Sequence, residues 1–112
     1  MAFHFCAHVW EVRDIDDGTL VLLSQRDLDM TTAGMLVDDL IQIVHESGQP
    51  NLYLDFSKVQ LIPTVIIGKM LALNEKLAEH SGRLIILGLR AVHLEIFEAL
   101  RLTEKLDLRR AE

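Results

Sequence analysis

The chain has 112 residues, half of them hydrophobic, and a net charge of −6 with its basic residues scattered. That length and apolar content suit one domain with one core. The acidic balance lacks the footprint of a nucleic-acid binder, and no apolar run approaches the ~20 residues of a bilayer-spanning helix.

The opening "MAFHFCAHVWEVRD" lacks the basic start, long apolar stretch and cleavage site of a secretory signal. Cys6 is the one cysteine, so an intrachain disulfide is excluded and a reducing cytoplasm is the expected setting. "HVWEVRDI" and "GTLVLLS" are short β-branched and apolar segments around "DDG", which reads as a hairpin of two strands. Whether "MAFHFCA" extends the first strand is open at this point.

After "QRDLD", the run "MTTAGMLVDDLIQIVHESG" places Met35, Leu36, Leu40, Ile43 and Val44 at helical spacing. Thr31 or Thr32 is available as N-cap and Gly48 as C-terminal stop. Pro50 leads into "NLYLDF", where Leu52, Leu54 and Phe56 alternate with Tyr53 and Asp55 as in a strand.

A second helix is expected from Val65 to about His80. Ile67, Met70, Leu71, Asn74 and Leu77 form its inward stripe, with Glu75 and Glu79 opposite. "RLIILGL" is a continuous apolar run, the mark of a strand inside a sheet and covered on both faces. "AVHLEIFEALRL" puts Val92, Ile96, Phe97 and Leu100 on one helical stripe, and "EKLDLRR" follows as a short last strand or a helical tail. The order β-β-α-β-α-β-α, with that last strand as an option, implies an α/β fold: a mixed sheet with helices packed on it.

Chemistry-bearing constellations are scarce. His4 and His8 lie on a non-helical segment, His45, His80 and His93 stand alone, and no motif has structural-zinc spacing. "LGLRAVH" carries one glycine where a dinucleotide fingerprint needs three. Ser24, Ser47, Ser57 and Ser81 lack the glycine-flanked elbow of a serine nucleophile. Asp27 and Asp29, two apart before a helix, read as solvent or cap residues. With no nucleophile, base and oxyanion donor converging, no catalytic residue, cofactor or metal is expected, and binding is favoured over catalysis.

"FSKVQLIPT" turns the chain from strand into helix at Thr64. Pro63 favours an extended Ile62, and Thr64 can offer its hydroxyl to the free amides of the first helical turn. Spacing alone favours this cap role. A phosphate on that hydroxyl, carrying roughly two negative charges, would be tolerated at the positive helix end. The same dianion would be repelled from an apolar or acidic partner surface. Leu61, Ile62, Val65 and Ile66 cannot all face the core if Ile67, Met70 and Leu71 do, so one or two apolar side chains should lie exposed beside Thr64.

Four segments in this order, "RDLDMTTA", "NLYLDFSKVQLIPTVIIGKML", "SGRLIILGL" and "IFEALRLTEKLDL", resemble a STAS domain. That family comprises the anti-sigma factor antagonists and the cytoplasmic domains of sulfate transporters. The resemblance runs from about Val9 to Leu108, which makes residues 1–112 a single STAS-like domain.

In bacterial members the switch loop reads Asp, then Ser or Thr, then small residues, Gly and Leu, and a serine or threonine kinase phosphorylates the hydroxyl after that Asp. On this chain the resemblance places the acidic position at Pro63, the phosphoacceptor at Thr64, the next two positions at Val65 and Ile66, and the later glycine at Gly68. Asp29 matches the acidic residue of the first motif, close to the loop. The partner-binding residues implied are Asp27, Asp29, Ile62, Pro63, Val65 and Ile66.

The resemblance implies a cytoplasmic regulatory module that binds an anti-sigma factor or related serine/threonine kinase, with a phosphorylation switch at Thr64. The alternative is a non-phosphorylated structural subunit of a signalling scaffold or membrane-transport complex, in a stoichiometric complex or a homodimer. Neither expects nucleic acid or direct membrane insertion. An enzyme or nucleotide-binding protein is the third reading, with only Asp27, Asp29 and Thr64 to work with.

Overall fold

The computed structural model describes residues 10–24, 26–48 and 51–111. His4, Cys6, His8 and Pro50, weighed above, lie outside the described residues. The element order is β1 (Trp10–Ile15), β2 (Gly18–Leu23), α1 (Met30–Ser47), β3 (Asn51–Asp55), α2 (Thr64–Ala78), β4 (Arg83–Leu89), α3 (Ala91–Ala99) and β5 (Asp107–Arg110). The fold is thus α/β as expected, and "EKLDLRR" supplies a strand rather than a helical tail.

The five strands lie side by side in chain order. β1 and β2 form the antiparallel hairpin around Asp16 and Asp17, and β2, β3, β4 and β5 run parallel. Each parallel step needs a crossover, which α1, α2 and α3 provide. Val21, Leu23, Leu52, Leu54, Leu84 and Ile86 from the strands meet Leu36, Leu40 and Ile43 of α1, Ile66, Met70 and Leu77 of α2 and Phe97 of α3 in one core cluster. β4 lies inside the sheet, with Leu84, Ile85 and Ile86 all fully buried.

Helix details depart from expectation in three places. α1 is capped by Asp29, whose carboxylate accepts the Thr32 amide at 2.7 Å; Thr31 and Thr32 already lie in the helix. An ionised oxygen two residues earlier serves those amides better than a hydroxyl inside the first turn. Gly48 ends the helix as expected, at φ 67°.

α2 begins at Thr64 and ends at Ala78, and its buried residues are Ile66, Ile67, Met70, Leu73 and Leu77. Leu71 and Asn74 are only half-buried. The inward arc is rotated because α2 packs against both β4 and α1. Asn74 ties elements together instead: its amide oxygen accepts the Leu84 N–H at 2.8 Å and its nitrogen donates to the Lys105 carbonyl at 3.0 Å.

α3 buries His93 and Phe97. Val92, Ile96 and Leu100, expected on the core stripe with Phe97, are exposed. Only one side of this nine-residue helix meets the sheet, and that side carries His93.

Candidate functional site

Two loops meet beyond the carboxyl ends of the parallel strands, the region where open α/β sheets hold their ligands. One joins β2 to α1 through Arg26, Asp27, Leu28 and Asp29. The other joins β3 to α2 and carries Thr64. This second loop is built inward first. The Asp55 carboxylate accepts the Ser57 amide at 2.8 Å, an Asx turn. The Val59 N–H reaches the Phe56 carbonyl at 2.9 Å, with Phe56 and Val59 fully buried as anchors.

The next residues are held from two sides. The Arg26 carbonyl accepts the N–H groups of Gln60 and Leu61 at 2.6 and 3.1 Å, and the Leu61 carbonyl accepts Leu28 N–H at 3.1 Å. These form an isolated parallel bridge between Asp27 and Leu61. Nη2 of Arg26 donates to the Gln60 side chain at 3.0 Å. From α3, His93 Nε2 donates to the Gln60 carbonyl at 2.8 Å. Because a carbonyl can only accept, this bond fixes the tautomer with the proton on Nε2, and among the described residues the buried Nδ1 has no partner. Arg26, Gln60 and His93 thus position the loop.

Beyond that clamp the chain turns outward. Pro63 is the N-cap of α2, extended at φ −66° and ψ 142°, and among the described residues no side-chain cap hydrogen bond is made there. Thr64 is therefore the first helical residue, exposed to solvent. This corrects the cap role expected for its hydroxyl, which now stands at the positive end of a four-turn helix.

The expected apolar exposure is present in Leu61 (62 %) and Val65 (41 %), and the first residue of α1, Met30, adds 65 %. Ile62 and Pro63 are half-buried. Ile66 is fully buried in the core cluster, so its inclusion among surface partner-binding residues is corrected: helical rotation turns it inward beside Ile67.

Asp27 and Asp29 are both exposed, in the segment beside the Thr64 loop. The Asp29 carboxyl is held below its ordinary value of 3.8 by the Thr32 amide and then the Thr32 hydroxyl. A depressed folded-state pKa stabilises the protein above the unfolded value and ceases to do so as pH falls through the folded one. Asp29→Ala should therefore lower the melting temperature at neutral pH, with the difference from wild type shrinking below pH 3.8, as parallel thermal melts would measure. Among the described residues no group of three or more His, Cys, Asp or Glu side chains could hold a metal ion, and no helix is long and apolar enough to cross a membrane.

A family model for the STAS domain matches residues 12–112. The chain belongs to the STAS domain family. Among solved structures, this STAS domain is similar to an anti-sigma factor antagonist from Mycobacterium paratuberculosis, at 25 % identity and a TM-score of 0.76 over 89 % of this chain and 83 % of that one. It also matches the anti-sigma factor antagonist SpoIIAA in its unphosphorylated form, at 13 % identity and a TM-score of 0.75 over 88 % of this chain and 86 % of that one.

A third match, at 13 % identity and a TM-score of 0.66, is the murine Solute Carrier 26 family member A9 anion transporter. It covers 89 % of this chain but 17 % of the transporter. Among curated proteins, none matches this sequence significantly.

Proposed function

We propose that this STAS domain is a cytoplasmic protein-binding module of the anti-sigma factor antagonist type, taking an anti-sigma factor or related serine/threonine kinase as partner. Phosphorylation of Thr64 switches the binding off. The observation that carries this reading is the exposed Thr64 in the first turn of α2, with exposed Val65 next to it and exposed Leu61 in the same loop, which is bridged to the segment leading into exposed Met30. A protein partner would bury those side chains. A phosphate on Thr64 would be stabilised by its own helix end and would stand, charged, in the middle of the apolar contact. Asp27 and Asp29 flank the contact and favour a partner with cationic groups opposite them.

Thr64→Glu and Thr64→Ala test this in parallel. The expected result is loss of partner binding with glutamate, retention with alanine, and the same unfolding curve for both. Equal binding by the two variants would defeat the switch.

The second reading, a docking subunit that is never phosphorylated, is favoured by Pro63 at the position where the family carries an acidic residue and by the bulk of Val65 after Thr64. It keeps the same contact surface and dispenses with the charge.

A further inference from the structure

Among the described residues, the sheet has a second face that the core cluster does not use. Right-handed crossovers that all step the same way across a sheet place their helices on one side, and β2, β3, β4 and β5 are linked in that manner. The register sends Leu52, Leu54, Leu84 and Ile86 to the helix side. Ile15, Leu20, Leu22, Tyr53, Ile85 and Leu87 go to the other. The core cluster takes in the first group and none of the aliphatic members of the second. Ile85 is fully buried at the centre of this band, and its neighbours are half-buried.

The flanks of the band differ in charge. On the β1 side Glu11, Asp16 and Asp17 outnumber Arg13, whereas on the β5 side Arg83 and Arg109 outnumber Asp107. Two such sheets facing each other across a two-fold axis parallel to the strands would lay β1 of each over β5 of the other. The acidic flank would then meet the basic flank twice, and apolar band would meet apolar band.

We infer that this face binds a second copy of the chain, forming a symmetric sheet-on-sheet dimer. Strands ~4.8 Å apart and ~20 Å long give a face of roughly 500 Å² per copy. This is below the ~800 Å² per partner of a standard interface, so the dimer is reversible and concentration-dependent. The helices and Thr64 remain on its outside, presenting two partner-binding loops per dimer; the dimer itself does not depend on the proposed switch.

Sedimentation velocity of the full chain over a wide concentration range tests the inference. A monomer–dimer equilibrium is expected, with a Kd raised at least ~10-fold by Leu22→Asp while the far-UV spectrum is unchanged. Glu11→Arg and Arg109→Glu, which lie at the same level along the strands, should each weaken the dimer, and the double variant should restore it, a readout independent of any strain at Leu22. A monomer at every concentration would overturn the inference, as would a dimer indifferent to these variants. A dimer that forms only after residues 1–9 are deleted would assign the face to the chain's own N-terminal segment and overturn it too.

Discussion

Gly88→Ala should destabilise the protein by about 3 kcal/mol, combining the ~1–2 kcal/mol cost of a left-handed backbone for an L-residue with an overpacking cost of similar size. Gly88 has φ +71°, and a Cβ there would lie 2.9 Å from both the Cβ and the backbone nitrogen of Ser57. Neither contact can be relieved by rotating a flexible side chain. Ser57 opens the loop that leads to Thr64, so the substitution should also loosen the clamp formed by Arg26, Gln60 and His93. Urea unfolding measures the first effect, and amide exchange at Gln60 and Leu61, whose N–H groups are bound by Arg26, measures the second. Full wild-type stability would mean that β4 and the loop are not in such close contact.

Val65→Asp carries the other large effect, and it follows from the proposed function. Val65 is 41 % exposed on the first turn of α2, beside Thr64. An apolar anchor at the centre of a protein contact is commonly worth 2 kcal/mol or more, so binding should fall by roughly 30-fold or more. Because the side chain is partly in solvent and an acidic residue suits a helix N-terminus, the melting temperature should be unchanged or slightly raised. Titration calorimetry with the captured partner, alongside thermal melts of the variant alone, separates the two. Unaltered affinity would move the contact away from this helix end.

Most of the fold was legible because its elements announce themselves locally. The hairpin is marked by Asp16, Asp17 and Gly18, α1 by its long periodic run and Gly48, and β4 by six residues without a polar side chain after Arg83. α3 was misread for a physical reason: Val92, Ile96 and Leu100 repeat as well as His93 and Phe97 do, and a nine-residue helix does not say which stripe meets the sheet. The inward arc of α2 was rotated for a related reason, since packing on two neighbours at once favours Leu73 over Asn74, whose amide is claimed by Leu84 and Lys105.

At the site, Thr64 and its exposed neighbours could be reached from Pro63 and from the excess of apolar residues around it. The residues that hold the loop could not. Arg26 and His93 lie 34 and 33 positions from Gln60 in the chain, and their bonds depend on tertiary placement that no local pattern encodes. Ile66 illustrates the converse, a residue adjacent to the site in sequence and turned into the core by one step of helix.

The central claim is that Thr64 is a switch on a partner-binding surface. Its most direct test is mass spectrometry of the protein isolated from its native cells, with the phosphate state of Thr64 and the bound partner determined in the same preparation. The account predicts phosphate on Thr64 in a fraction of the molecules and an anti-sigma factor or kinase bound only to the unmodified fraction. A constant partner held equally by both fractions, or Thr64 unmodified under every growth condition, would contradict it.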